Sequence, residues 1–330
     1  MSAAAPGLDP VPLGDPDDDR PRSLRVVVPV ADRIFRGVSA SAAIVAFVIV
    51  GATAGFLFWD ARPALKATGV WSFFTTSKWN ASLNQYGVGG LLIGTVLIAV
   101  VALMVAVPLS LGLSLFVNEY APGRIRKWLV SAVDLLAALP SLVFGMWGLF
   151  ALQGPLIGIA QWFTDHLSAI PFFRTEEGAV LSRSTFIGGF VVGLMVLPIM
   201  TSVSRDVMAQ CPRELCEGAY GLGGSRWGMI RSVILPFGRS GIVGSILLGF
   251  GRALGETIAV TLLVALVYEP NLKVLTQGGG SIAELVAVKF GEARGLEVNA
   301  LVAAGLALFV LTLVVNLIAR RIVARARSFD

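Results

Sequence analysis

Arg252 and Glu256 are opposite charges four residues apart, set within the apolar run 241–267. In a continuous helix that spacing places both side chains on one face. The midpoint of the run falls near Leu254, so both charges are expected near mid-membrane if the run crosses a bilayer. Each then costs roughly 2.5–3.5 kcal/mol to insert. Gly249, Gly251 and Gly255 lie beside them and would let another helix approach closely. A guanidinium presents a planar fork of donors that suits a tetrahedral oxyanion. Two readings stay open at this point. The pair could neutralise itself inside a helix bundle, or it could line an anion path. On the second reading Glu256 would hold Arg252 in place, or accept a hydrogen bond from a protonated oxyanion. Asp134, Arg205 and Asp206 are weaker candidates, read as charges at the ends of apolar runs.

A second constellation fills residues 205–239. Pro212 suits the first turn of a helix, so 214–220 is expected to be a short helix. Gly221, Gly223 and Gly224 break it, and Ser225 is placed to cap a second helix. Trp227, Ile230 and Ile234 are apolar and recur at helical spacing, i, i+3 and i+7. Pro236 is expected to end it. The outcome is a helix-turn-helix between two apolar runs.

The elements that must carry these residues are membrane helices. The chain has 330 residues, 55% hydrophobic and only 14% charged, with a mean hydropathy of +0.79. A water-exposed surface needs about 25% charged residues. Six apolar runs stand out, at 38–58, 89–117, 129–152, 185–203, 241–267 and 301–318. Each approaches or exceeds the roughly 20 residues a helical crossing needs. Strands would leave backbone polar groups unpaired in lipid. The reading is an all-α membrane protein of six transmembrane helices. It has a polar, Pro-rich cytoplasmic tail over 1–36, a permease domain over 37–324 and a short cytoplasmic end over 325–330. Residues 1–25 are expected to be disordered. Seventeen Lys and Arg fall on the side of the termini and of loops 2 and 4, against eight in loops 1, 3 and 5, which places both termini in the cytoplasm. The first run is longer than a signal-peptide core and is read as a retained span. Pro108, Pro140 and Pro198 are expected to kink spans 2, 3 and 4. Gln161-Trp162-Phe163 and Pro171-Phe172-Phe173 suit an interfacial element in loop 3, and 282–290 a short helix or re-entrant piece in loop 5.

With these residues in view, the chain resembles permeases of binding-protein-dependent ABC importers. Those proteins carry E-A-A-x3-G-x9-I-x-L-P in the corresponding cytoplasmic loop. Here the pattern reads Glu217, Gly218, Ala219 and Gly223, then nine residues, then Val233, Leu235 and Pro236. Gly218 replaces an Ala and Val233 an Ile. The segments Ala106–Gly112, Asn118–Pro122, Leu139–Gly148 and Leu248–Thr257 look like those of phosphate-specific permeases of the PstC type. The resemblance runs from about Val88 to the C-terminus. It implies the MetI-like permease fold with a cytoplasmic coupling helix-turn-helix that docks in a groove of an ATPase subunit. The implied partners are a homologous second permease, ATPase subunits numbering two, and an extracytoplasmic phosphate-binding protein. It also implies that Arg252 and Glu256 take part in phosphate transport.

Other classes are disfavoured. No Lys follows a Gly, so the chain has no G-x4-G-K-[ST] loop, and ATP with Mg is expected at a partner subunit rather than here. Cys211 and Cys216 lack zinc or redox spacing, and His166 is the only histidine, so neither a metal site nor an enzyme is indicated. The cations flank apolar runs instead of forming one face, which argues against nucleic acid. The competing readings are a permease of the same superfamily for sulfate or molybdate, and a stand-alone secondary transporter or channel needing no ATPase.

Overall fold

The computed structural model describes residues 30–327. The expectation of disorder in the N-terminal tail lies outside the described residues. The chain divides into two units, Met1–Ala52 and Thr53–Asp330. Helix α1 (Val30–Thr68) begins in the first, whose described stretch is helical and exposed throughout nearly its whole length.

In the second unit, a short helix α2 (Val70–Thr75) leads to a two-residue antiparallel ladder of β1 (Trp79–Asn80) and β2 (Gln85–Tyr86). Helix α3 (Gly89–Leu115) runs on through a π turn at Phe116–Tyr120. Helix α4 (Gly123–Ala137) follows, and then α5 (Ser141–Trp147), a π turn at Gly148–Leu152 and α6 (Gln153–Leu167). After α7 (Thr185–Ala209) come α8 (Arg213–Gly221), α9 (Arg226–Met229), a π turn at Ile230–Ile234 and α10 (Leu235–Leu254). Helices α11 (Ile258–Leu263), α12 (Ile282–Lys289) and α13 (Leu296–Arg327) complete the chain. Six helical stretches among the described residues are long and apolar enough to cross a membrane.

Helix α7 is the most enclosed of the six, and its broadest packing is against α3. The reason is small residues at helical spacing. A Cβ on Gly193 would lie 2.7 Å from the Ala102 carbonyl oxygen, and one on Gly189 would lie 2.6 Å from Val101. With no hydrophobic drive between helices in lipid, such close backbone approach is what holds them. Ile98, Ala102, Val191, Met195 and Met200 form the centre of this core.

Three expected boundaries move. The third crossing was expected at 129–152, but the long apolar helix is Ser141–Leu167. Residues 123–137 instead form the separate helix α4, because Pro140 disfavours helix at the residue before it. Pro140 therefore precedes a helix rather than kinking one, and Gln161-Trp162-Phe163 lies within α6, not in a loop. Helix α7 continues past 203 to Ala209. The expected fifth crossing 241–267 is interrupted after Leu254.

Loop 5 is ordered by packing. Gly278, Gly279 and Gly280 all have φ between 102° and 144°, where only glycine is unstrained. Side chains on Gly90 and Gly94 of α3 would overlap the carbonyl oxygens of Tyr268 and Gly280, so the loop lies directly on that helix. Ser281 and Glu284 form a reciprocal capping box at the start of α12.

Candidate substrate path and coupling element

The helix that carries Arg252 ends two residues later, at Leu254. Gly249 and Gly251 weaken it, each by about 1 kcal/mol relative to alanine. Gly255 takes the C-cap, and Thr257 precedes α11. Glu256 sits in the break, 8% exposed, and its Oε1 accepts from the Ala259 N–H at 3.3 Å. It thereby satisfies one of the amides left open at the start of α11. Thr261 Oγ1 donates to the Thr257 carbonyl at 2.9 Å and steadies the same turn.

This corrects the expected geometry of Arg252 and Glu256. They do not share a face of one uninterrupted helix, since the break separates them. Among the described residues no ion pair joins them. Glu256 is buried and turned to a backbone amide, while Arg252 is exposed on this chain. Arg252 lies in the last turn of α10, where the negative end of the helix dipole favours a cation.

The depth of the break follows from its neighbours. A Cβ on Gly249 would lie 2.5 Å from Met200 Sδ, and Gly188 abuts Val264. The break lies between those two contacts, alongside the middle of α7. Sequence reasoning missed the interruption. Its signal was the density of glycine in Gly249–Gly255, which was read only as room for a neighbouring helix.

The coupling motif maps onto α8, its turn and the start of the fifth crossing. Glu217 and Gly218 are exposed on α8, and Ala219 is half-buried against a cluster that contains Met208, Met229, Ile230, Ile234 and Ile242. Gly223 has φ 82°, and its N–H donates to the Tyr220 carbonyl at 2.9 Å. A Cβ on Gly224 would lie 2.6 Å from the Ala219 carbonyl oxygen, so the turn folds tightly onto α8. Ser225 Oγ accepts from the Gly228 N–H at 3.1 Å, the expected cap.

Ile230 and Ile234 are buried, but Trp227 is 58% exposed at the outer edge of α9. One expectation fails in this region. Pro236 does not end the second helix. It occupies the first turn of α10, and the helix passes into the crossing through the π turn at Ile230–Ile234, which contains Val233. The wider i→i+5 bonding of that turn re-registers the backbone immediately before a residue with no N–H. Leu235 and Pro236 therefore join coupling loop and membrane helix directly.

Between Asn118 and Arg205 the C-terminal ends of α3 and α7 are tied together. Asn118 Nδ2 donates to the Arg205 carbonyl at 2.8 Å. Arg205 Nη2 lies 2.9 Å from Asp206 Oδ1, and its Nη1 lies 4.0 Å from Asp134. Cys211 and Cys216 are free, with sulfurs 3.9 Å apart, and burial with the neighbouring thiol pushes Cys211 up to about 11. Among the described residues no cluster of three His, Cys, Asp or Glu could hold a metal ion.

Comparison with known proteins agrees with this architecture. The chain is similar to a methionine ABC transporter, MetNI, in inward-facing conformations, with TM-score 0.52 at 12% identity over 71% of this chain and 94% of that one. It is also similar to a bacterial ABC transporter involved in the import of the acidic polysaccharide alginate, with TM-score 0.53 at 18% identity over 89% and 99%. Those likenesses concern the fold. In sequence it is 38% identical over 287 residues to the phosphate transport system permease protein PstC of Xylella fastidiosa, covering 86% of this chain and 88% of that protein. It is 37% identical over 296 residues to PstC 2 of Mycobacterium bovis, covering 88% and 91%. Identity to PstC of Haemophilus influenzae is 37% over 304 residues, covering 90% and 94%. Residues 106–328 match the model of the binding-protein-dependent transport system inner membrane component. A multi-pass helical chain with these relatives belongs to the family of binding-protein-dependent transport system inner membrane components.

Proposed function

We propose that the chain is the permease subunit of an ATP-driven phosphate importer and forms half of the translocation pathway. One observation carries the choice of substrate: the relatives named as phosphate transport permeases match 86–90% of the chain at 37–38% identity. The geometry supports a division of labour. Arg252 is the cation without a carboxylate partner beside a mid-membrane helix break, so its guanidinium is free to take a phosphate oxygen pair. Glu256 fixes the break by capping α11 and keeps a negative charge near the path, which favours release.

Energy comes from outside the chain. Leu215 and Gly218 on α8 and Leu222 at its C-cap recur at helical spacing. Leu215 is 52% and Leu222 92% exposed, and a Cβ on Gly218 would meet nothing. This small, apolar face suits insertion in a groove of an ATPase subunit. Two such permease chains with two ATPases, which hold ATP and Mg, form the working complex. A binding protein delivers phosphate to the outer loops, and both termini lie in the cytoplasm. Closure of the ATPases moves α8, and the continuous path α9–α10 carries that motion to the break.

The test is uptake by Arg252→Leu in cells that express the whole transporter. Phosphate uptake is expected to be abolished while the ATPase still co-purifies. Normal uptake by that variant removes Arg252 from the mechanism. Inhibition of wild-type uptake by sulfate or molybdate as strongly as by phosphate would reassign the substrate.

A further inference from the structure

A cleft of about 830 Å³ opens beside the coupling element, and it is lined by α4, the end of α7 and α8. Four cations line it, Arg126, Lys127, Arg205 and Arg213, against the single carboxylate of Glu119. Arg205 is already matched by Asp206 at 2.9 Å. Arg126 Nη2 donates to the Asn118 carbonyl at 2.7 Å, an interaction that leaves its charge uncompensated. Among the described residues neither Lys127 nor Arg213 has a carboxylate within ion-pair distance. Three cations thus face one carboxylate in a concave site, which concentrates positive potential.

The position of α4 adds a second argument. Ile125, Trp128 and Leu135 recur at helical spacing and are 48%, 70% and 68% exposed, with Arg124 and Lys127 alongside. An apolar stripe with tryptophan and flanking cations is the pattern of a helix lying in a membrane interface. The cleft then opens at headgroup level, and its volume fits a headgroup-sized guest.

We propose that this cleft binds a phosphate group, held by Lys127, Arg213 and Arg126, and supplied either by an anionic phospholipid headgroup or by free orthophosphate. The wall formed by α8 makes the site regulatory in position. Arg213, Cys216 and Tyr220 recur at i, i+3 and i+7 and face the cleft, whereas Leu215 and Gly218 lie on the other side of the same helix. A bound phosphate group would brace α8 without covering its exposed apolar face. The inference is independent of which anion is transported.

The experiment uses the full chain in nanodiscs. In phosphatidylcholine discs, equilibrium dialysis with radiolabelled inorganic phosphate reads the free anion. In discs with added phosphatidylglycerol, native mass spectrometry reads retained anionic lipid. Each is measured for wild type, for Lys127→Gln with Arg213→Gln, for Lys127→Arg with Arg213→Lys, and for Arg252→Leu. The neutral double variant is expected to bind one of the two probes at least about tenfold more weakly. The charge-preserving pair should keep that binding, whereas Arg252→Leu should lose only the phosphate held at Arg252 and so separates the two sites. Loss confined to the lipid identifies the headgroup as the source, and loss confined to inorganic phosphate identifies the free ion. If wild type binds neither probe, or if the neutral double variant binds both as wild type does, the proposal is overturned. Loss of the charge-preserving pair's binding as well would assign the effect to folding and also overturn it.

Discussion

Replacing Glu284 with glutamine should change how stability depends on pH, and the magnitude follows from its surroundings. Glu284 is 1% exposed at the start of α12, outside the membrane-crossing helices. Burial raises its pKa to about 7, against the opposing pull of the Ser281 N–H and of the Arg183 charge. The unfolded value is the ordinary one for a glutamate, 4.5. A carboxyl group with a raised folded pKa is most favourable when protonated. Its contribution is fully present below about 4.5 and is lost as pH rises to about 7. The full loss is about 3 kcal/mol, of which about 2 kcal/mol falls between pH 5.5 and 8. Glutamine keeps an acceptor for the Ser281 N–H, which now meets Oε2 at 3.3 Å, and carries no charge. The assay is hydrogen exchange of the α12 amides and thermal unfolding in detergent, with wild type and Glu284→Gln compared at each pH. Wild type should fall behind the variant as pH rises, by several degrees in Tm at pH 8 and by less at pH 5.5. An equal gap at both pH values would refute the reasoning, because an uncharged wild-type group predicts no widening.

Further expectations test packing and coupling. Gly94→Ala should lower stability by roughly 1–3 kcal/mol, since its Cβ would overlap the Gly280 carbonyl oxygen and backbone cannot step aside, whereas Gly112→Ala, with nothing within 4 Å, should be neutral or slightly stabilising in the same unfolding assay. Ser225→Ala removes the cap on α9 and should cost about 1 kcal/mol, visible as faster exchange of the Gly228 amide. Arg252→Lys keeps the charge but loses the two-pronged donor geometry, so phosphate uptake should fall at least about tenfold while protein level is unchanged. Leu222→Glu places a charge at the exposed C-cap of α8 and should reduce co-purification of an ATPase without lowering the Tm of the chain itself.

The six crossings were legible because long apolar runs leave no other solution in lipid, and α3, α7 and α13 overlap their expected ranges. Helix α8 was legible from Pro212 and the glycines behind it, and the Ser225 cap from its position before α9. What escaped was discontinuity. Residues 129–137 are apolar enough to be absorbed into a crossing, although α4 ends before Pro140. The run 241–267 reads as one helix by hydropathy, because Gly, Ala and Thr keep it apolar while they weaken its backbone. The expected side-by-side placement of Arg252 and Glu256 assumed an intact helix, and it failed at Gly255. Pro236 misled for the opposite reason, since a π turn upstream absorbs a residue that ordinarily stops a helix. The capping box of Ser281 and Glu284 was present in the sequence as S-x-x-E and went unused.

The central claim is that the chain passes phosphate while drawing on a partner's ATP hydrolysis through α8. It is tested most directly by uptake of radiolabelled phosphate into proteoliposomes holding the co-expressed transporter, with the phosphate-binding protein outside and ATP inside or absent, for wild type and Gly218→Arg. Wild type is expected to take up phosphate only with ATP, and Gly218→Arg little or none in either condition. Uptake that proceeds without ATP, or at the wild-type rate with arginine on the docking face, would contradict it.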